Sequence, residues 1–233
     1  MKSIKKLLAL TLACAAAASL AACGSSAPKQ TASSGASGDA SAAGTDAGKT
    51  YLIATDTTFA PFEFQNESGE FVGIDMDLLK AIAEDQGFSY EIQVLGFDAA
   101  VQSLQAGQSD AVIAGMSITP ERQDTFDFSE PYFDSGVVMG IKAGNEEIKS
   151  YEDLRGKNVA VKTGTEGSAF AESIKAEYGF TTTYFKDSSN MYEDVISGNS
   201  AACFEDYPVL GYAVSQDIGL KIVTEKEQGS SYG

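Results

Sequence analysis

The chain has 233 residues, of which 43% are apolar and 21% are charged, so it has the composition of a folded protein with a hydrophobic core. Its 33 acidic and 16 basic residues give a formal net charge of −17, which argues against a nucleic-acid partner because phosphate backbones are also negative. The absence of histidine excludes histidine-dependent catalysis, and three cysteines (Cys14, Cys23 and Cys203) are too few for a cysteine-only zinc site or a disulfide framework. We therefore expect neither a metal site nor a cofactor.

Residues 1–22 have the pattern of a bacterial export signal. Three lysines near the start precede an apolar run over residues 7–20, which is shorter than the ~20 residues that a membrane-spanning helix needs. The run ends in the sequence LAAC, residues 20–23, which resembles the lipobox of bacterial lipoproteins. That resemblance implies cleavage of the signal and acylation of Cys23, whereas the alternative is an ordinary secretory signal with a cysteine by chance.

Residues 23–49 begin with this cysteine and continue mainly as serine, alanine, glycine and threonine. A segment with so few large apolar side chains cannot bury enough surface to offset the entropy of ordering it, so we expect a flexible tether. The same composition disfavours the alternative, an N-terminal arm that docks on the folded part. Lipidation and tether together predict an extracytoplasmic protein that is anchored to the outer face of the cell membrane, or a periplasmic one.

From residue 51 onward, segments with the pattern of strands alternate with segments with the pattern of helices. The first helical segment has the pattern of an amphipathic helix, because its apolar residues between positions 78 and 83 share one face. Asp75 stands at the expected N-cap position. Asp98 is the expected N-cap of the second helix. The predicted strands cover residues 51–55, 88–95, 110–116, 136–141, 158–161, 181–185, 201–204 and 220–223. The predicted helical segments cover residues 75–85, 98–107, 150–155, 166–178, 190–197 and 206–214.

This alternation predicts an α/β fold with mainly parallel sheets flanked by helices. The pattern starts again near residue 136, which divides the folded part into a first lobe at residues 50–136 and a second lobe at residues 137–229. Ligands of such sheets bind beyond the carboxyl ends of the strands, so we expect a ligand in the cleft between the lobes. Residues 230–233 are expected to begin a return to the first lobe, whose C-terminal part is then missing.

Five segments carry a resemblance to a known family. They read TDTTFAPFE (55–63), GIDMDL (73–78), SITPER (117–122), FDFSEPY (126–132) and VAVKTGT (159–165). In this order and spacing they are similar to the bacterial extracellular solute-binding proteins of family 3, which serve polar amino-acid ABC importers and include glutamine-binding proteins. The resemblance implies a two-lobe periplasmic-binding-protein fold of type II and ABC permease subunits as partners. We expect a monomer.

The resemblance also implies roles for single residues. Arg122 matches the arginine that clamps the α-carboxylate of the ligand, a group that the planar guanidinium binds bidentately. Asp206 matches the carboxylate that receives the α-ammonium group. The alternatives are a surface ion pair with Glu121 or Asp124 for Arg122, and a plain N-cap role for Asp206.

The other matched positions are expected to complete the same pocket. Ser117 and Thr165 are expected to donate hydrogen bonds to the carboxylate, and the carbonyl of Gly115 to accept one from the ammonium group. Phe59 and Phe97 are expected to enclose the aliphatic stem of the ligand, with core packing as the alternative. The full set of expected ligand-binding residues is Asp56, Phe59, Phe97, Gly115, Met116, Ser117, Arg122, Lys162, Thr165 and Asp206.

Asp56 and Lys162 match positions that face the side chain of the ligand. A carboxylate beside an ammonium group suits a neutral amide, which both donates and accepts, and so favours glutamine over a cationic or an anionic amino acid. Glu205 departs from the glutamine-binding pattern.

Two other functions remain open. Some relatives on this scaffold are dehydratases of cyclic acids (cyclohexadienyl or arogenate dehydratases), and Glu205 in a closed cleft is a candidate general acid or base. A receptor module that presents its ligand to a membrane sensor would have the same sequence features. The lipobox, the tether and the amino-acid clamp favour a carrier that is not an enzyme.

Overall fold

A computed structural model describes residues 48–233 of the chain. The predicted signal peptide, Cys23 and all but the last two residues of the predicted tether lie outside the described residues. Within residues 48–233, no helix is both long enough and apolar enough to cross a membrane.

The first lobe is built on a parallel sheet of three strands. Its elements in chain order are β1 (Thr50–Thr55), β2 (Thr58–Phe59), β3 (Glu63–Gln65), β4 (Phe71–Val72), α1 (Ile74–Gln86), β5 (Ser89–Val94), α2 (Phe97–Gln105), β6 (Ala111–Val112) and α3 (Pro120–Gln123). The parallel sheet has the order β5–β1–β6, and β2, β3 and β4 form a separate antiparallel sheet that the sequence analysis did not predict. The strand predicted at residues 110–116 shortens to β6, so residues 113–117 form a loop.

The second lobe is built on a mixed sheet of six strands. Its elements are β7 (Phe133–Lys142), a 3-10 helix (Tyr151–Leu154), β8 (Asn158–Lys162), α4 (Glu166–Tyr178), β9 (Thr181–Phe185), α5 (Ser188–Ser197), β10 (Ala202–Asp206), α6 (Tyr207–Ser215), β11 (Leu220–Ile222) and β12 (Glu227–Tyr232). β8 is parallel to β9 and β10, whereas β7 runs antiparallel to β10, β11 and β12. The expected parallel pairing therefore holds for the β5–β1–β6 sheet of the first lobe, whereas β7 makes the sheet of the second lobe mixed.

The core of the second lobe covers both faces of its sheet. Along β7, Val137, Met139 and Ile141 belong to one apolar cluster, and Val138 belongs to the cluster on the other face. Side chains of a strand alternate between the two faces, so a continuous apolar run produces a strand that is covered on both sides. The strand predicted at residues 136–141 is confirmed within β7.

β12 connects the two lobes. Tyr232 pairs with Phe133 at the start of β7 and also forms a bridge with Ser117 of the first lobe. The backbone N–H of Ile118 donates to the carbonyl of Ser231 at 2.8 Å. β7 and β12 thus run side by side where the chain passes between the lobes, and the expected lobe boundary after residue 136, which falls inside β7, stays a prediction.

Glycines occupy the N-cap positions of the first two helices. The predicted N-caps Asp75 and Asp98 are wrong, because α1 and α2 are preceded by Gly73 and Gly96. Gly73 has a φ of 134°, and a Cβ at this position would stand 2.1 Å from the carbonyl oxygen of Phe62. Asp75 instead has a buried carboxylate that accepts a hydrogen bond from the N–H of Gly115 at 2.8 Å. The start of α1 thereby holds the loop that follows β6.

The substitution Gly73→Ala is therefore expected to destabilise the protein. The new methyl group meets backbone at a φ that alanine rarely adopts, and we expect the free energy of unfolding in urea to fall by about 2–4 kcal/mol. The matched control is Gly211→Ala in α6, where no atom lies within 4 Å of the new Cβ and alanine favours the helix by about 1 kcal/mol. Equal stability of the Gly73→Ala variant and the parent protein would contradict this account.

Candidate functional site

Eight residues from both lobes surround a small cavity. They are Phe59, Phe97, Gly115, Ser117, Arg122, Thr165, Glu166 and Asp206. The first five belong to the first lobe and the last three to the second. The cavity measures about 10 Å³, which is the room that one water molecule needs, so the two lobes lie close together here.

The ends of strands and helices bring these side chains to one gap. Phe97 begins α2, Thr165 is the N-cap of α4 after β8, and Asp206 ends β10. In α/β sheets the loops and helix starts that follow the carboxyl ends of the strands lie at one edge, so residues far apart in sequence converge there. Seven of the ten predicted ligand-binding residues line the cavity, and their role in binding stays a prediction.

The guanidinium group of Arg122 reaches across the gap. Its Nη1 donates to the carbonyl of Ser117 at 2.8 Å, and its Nη2 donates to the carbonyl of Gly164 in the other lobe at 3.0 Å. The Oε1 atom of Glu166 lies 3.4 Å from Nη2. The alternative of a surface ion pair with Glu121 or Asp124 is wrong, because the side chain of Arg122 is only 14% exposed and its ionic partner belongs to the second lobe.

Asp206 brings a buried carboxylate to the cavity from the second lobe. Its Oδ2 accepts a hydrogen bond from the hydroxyl of Tyr232 at 2.7 Å, and its side chain accepts none from α6, so the plain N-cap role is wrong. Burial, reinforced by the neighbouring charge of Glu205, raises the pKa of Asp206 to about 7. A cation in the cavity would stabilise the ionised form, so the carboxylate is suited to receive an ammonium group.

Asp56 and Lys162 form an ion pair that joins the lobes. Nζ of Lys162 donates to Oδ2 of Asp56, and both side chains are buried. The other oxygen of Asp56 accepts from two backbone N–H groups, at 2.6 Å and 3.1 Å. Burial opposes the charged form of Lys162, but the carboxylates of Asp56 and Glu205 outweigh burial and raise the pKa of Lys162. The pair borders the cavity rather than lining it, with Nζ 4.4 Å from the ring centre of Phe59.

Glu205 is a fixed charge beside this pair. Its Oε2 accepts from the hydroxyls of Ser188 at 2.8 Å and Tyr192 at 3.1 Å, and its Oε1 accepts from the N–H of Asp206 at 3.0 Å. Nζ of Lys162 also donates to the hydroxyl of Ser188 at 3.3 Å. A buried network with several donors holds its members rigidly, so the carboxylate of Glu205 is fixed in position near the cavity.

The two predicted aromatic residues flank the two cations. The ring of Phe59 lies by Lys162, and Cζ of Arg122 lies 5.4 Å from the ring centre of Phe97. Both rings also belong to apolar clusters, so core packing and a place at the cavity occur together. Met116 differs from them, because its side chain packs with Phe97 and lines an apolar groove of the first lobe instead of the cavity.

Three residues at the site escaped the sequence analysis. Glu166 directly follows the predicted Thr165, so its position at the start of a helix is the signal that was available. Ser188 likewise begins a helix, α5, after a predicted strand. Tyr232 carries no such signal, because only the pairing of β12 brings it to Asp206.

Comparison with known proteins decides the family. Residues 51–198 match the family model described as bacterial extracellular solute-binding proteins, family 3. The chain belongs to this family. The arginine-binding extracellular protein ArtP of Bacillus subtilis is 32% identical to it over 216 residues, which cover 92% of this chain and 78% of ArtP.

Solved structures share the fold of this solute-binding protein. Holo ArgBP from T. maritima is 33% identical, with a TM-score of 0.73 and coverage of 79% of this chain and 80% of that chain. An ancestral arginine-binding protein bound to glutamine is 39% identical, with a TM-score of 0.71 and coverage of 78% of this chain and 83% of that chain. The predicted family and its two-lobe fold of type II are confirmed.

Glu63 and Asp75 form a buried acidic pair in the first lobe of this solute-binding protein. Neither carboxylate oxygen of Glu63 accepts a hydrogen bond from an N–H group or a hydroxyl among residues 48–233. Asp75 accepts from the N–H of Gly115 and, at 2.9 Å, from the hydroxyl of Tyr132. Burial, with the charges of Asp75 and Asp56, raises the pKa of Glu63 well above its usual range. Glu63 in its neutral form can donate its proton to Asp75.

The pair predicts a stability difference that depends on pH. The unfolded chain releases the proton of Glu63 above about pH 4.3, whereas the folded protein keeps it, so the stability of the parent protein falls as pH rises toward the folded pKa. The Glu63→Gln variant retains a donor and escapes this loss. The difference in free energy of unfolding in urea, variant minus parent, should therefore rise by up to about 1.4 kcal/mol per pH unit between pH 5 and pH 7.

The control for this experiment is Glu67→Gln, which removes an exposed carboxylate from the same lobe. The pH dependence of the Glu63→Gln variant should clearly exceed that of this control. A constant difference between Glu63→Gln and the parent over the same range would show that Glu63 is ionised in the folded protein.

Proposed function

We propose that this protein captures one polar amino acid as a zwitterion between its lobes and delivers it to the permease of an ABC importer. The observation that carries the proposal is that a guanidinium group, Arg122, and a carboxylate, Asp206, reach one cavity from different lobes. The two groups suit the carboxylate and the ammonium group of an amino acid. The similar protein ArtP, named as arginine-binding, supports a ligand of this class.

Groups near Arg122 supply further donors for the carboxylate of the ligand. Thr165 caps α4, so the backbone N–H groups and the positive dipole end of that helix lie at the cavity. Ser117 adds a hydroxyl from the first lobe. A carboxylate that contacts both lobes stabilises the arrangement in which the lobes are together, which is how a ligand closes a hinged protein.

The Asp56–Lys162 pair determines the side chain that we propose for the ligand. The two charges are buried beside the cavity and neutralise each other. A third charge buried beside this pair would need a partner of its own, whereas an amide can both donate and accept hydrogen bonds there without adding charge. We therefore propose glutamine, and the ancestral relative solved with glutamine supports this choice.

The contacts of Glu205 favour a carrier over a dehydratase. Both of its carboxylate oxygens accept hydrogen bonds, and its side chain does not line the cavity. A general acid or base must reach the proton that it moves, so Glu205 is poorly placed for this role. A carrier that is lipidated at Cys23 would work on the outer face of the membrane, and the lipobox supports this location.

The zwitterion proposal predicts that Arg122→Ala removes binding. By isothermal titration calorimetry, the parent protein should bind glutamine with a Kd in the micromolar range, and the variant should bind at least about 100-fold more weakly because it leaves the ligand carboxylate without its cation. The matched control is Arg155→Ala, which removes an exposed arginine and should bind like the parent. Unchanged affinity of the Arg122→Ala variant would end the proposal. Tighter binding of arginine than of glutamine would retain the class of ligand and reject glutamine.

The raised pKa of Asp206, about 7, predicts that affinity falls in acid. Protonation removes the charge that holds the ammonium group, so the Kd should rise about tenfold per pH unit below pH 7 until the pKa of the complex is reached. The charges of the ligand itself do not change between about pH 5.5 and pH 7. Calorimetry on the parent and on Asp206→Asn over this range tests the assignment, because the variant should bind weakly with little dependence on pH. An equal slope in both proteins would place the titrating group elsewhere.

A further inference from the structure

The carboxylate of Glu166 contacts Arg122, the cation that our proposed function assigns to the ligand carboxylate. Its Oε1 is 3.4 Å from Nη2 of Arg122, and the two side chains are 20% and 14% exposed. Glu166 is the first residue of α4 and lines the cavity together with Arg122. An anion of the protein therefore already contacts the cation that our proposed function assigns to the ligand.

The other contacts of Arg122 are with neutral groups. The carbonyls of Ser117 and Gly164 accept its hydrogen bonds, which orient the guanidinium without neutralising it. Among the acidic residues that attract Arg122, Glu166 acts most strongly, ahead of Asp206 and Glu121. Glu166 is thus the main charge partner of Arg122 in the described part of the chain.

We infer that Glu166 competes with the ligand for Arg122 and thereby sets the affinity of the site. This inference rests on the proposed function. A ligand carboxylate that reaches Arg122 meets a second negative charge on the same guanidinium, and like charges repel at this distance. Glu166 also lines a larger recess between the lobes, which gives its side chain room to turn aside. Its return to Arg122 then assists release of the ligand.

The opposite role is that Glu166 orients Arg122 for binding. The two roles predict opposite signs when the charge of Glu166 is removed. Competition predicts tighter binding, whereas orientation predicts weaker binding. The Glu166→Gln variant keeps the size and hydrogen-bonding capacity of the side chain, so it isolates the effect of the charge.

The experiment is calorimetry of L-glutamine and L-arginine binding to the parent, Glu166→Gln and Glu166→Ala proteins. Both variants should bind the ligand of the parent about three- to fivefold more tightly, as expected for loss of a partly exposed ion pair. Stopped-flow tyrosine fluorescence should show slower release, since affinity changes within one site arise mainly in dissociation. The control Glu177→Gln removes one charge from the exposed C-terminal end of α4, away from the cavity, and should leave the Kd unchanged.

The outcomes separate this inference from the proposed function. The first outcome is that the parent binds, Arg122→Ala abolishes binding, and both Glu166 variants bind equally or more weakly than the parent. This outcome overturns the inference and leaves the proposed function standing. Failure of the parent to bind any of the twenty amino acids overturns the proposed function and the inference together. Tighter binding by the Glu177→Gln control as well would show a general effect of net charge and would also overturn the inference.

Discussion

The buried ion pair of Asp56 and Lys162 is the interaction on which the arrangement of the two lobes depends. It joins the residue after β1 to the last residue of β8, and both side chains are almost completely buried. Charges so deeply buried are tolerated only when each is paired and hydrogen-bonded, and the N–H of Phe97 and the hydroxyl of Ser188 complete the set. Separation of the lobes would hydrate both charges and so recover the cost of burying them. The pair therefore stabilises the joined lobes only together with the other contacts between them.

Acidic residues crowd around this pair, and their crowding explains the electrostatics of the site. Glu205 stands next to Asp206 in sequence and accepts its N–H, while Glu63 lies near Asp75. Burial disfavours the ionised forms of Asp206 and Glu63, and the charges of Glu205 beside Asp206 and of Asp75 and Asp56 near Glu63 add to this effect. The raised pKa values of Asp206 and Glu63 follow from this shared cause. A positive charge next to Asp206 would stabilise its ionised form, which is the role that the proposed function gives to the ammonium group of the ligand.

The sequence could predict the convergence of the site better than the packing beneath it. Arg122, Thr165 and Asp206 follow strands or begin helices, and the geometry of α/β sheets places such residues at one edge. The N-cap expected at Asp75 was wrong because a local pattern cannot report that Gly73 must pass within contact distance of Phe62, a tertiary constraint. The antiparallel course of β7 and the contact of Tyr232 with Asp206 depend on pairings between distant segments, which no local pattern contains.

Direct contacts between the lobes change how ligand affinity should be understood. Arg122 bonds to Gly164, and the N–H of Ser188 donates to the hydroxyl of Thr58 at 3.1 Å, so the protein contributes to closure through its own groups. The free energy of these contacts adds to that of the ligand, and a ligand shifts the equilibrium only by the difference in its affinity for the open and closed arrangements. If the proposed function holds, affinity would therefore also depend on residues that join the lobes without touching the ligand, such as Thr58 and Ser188.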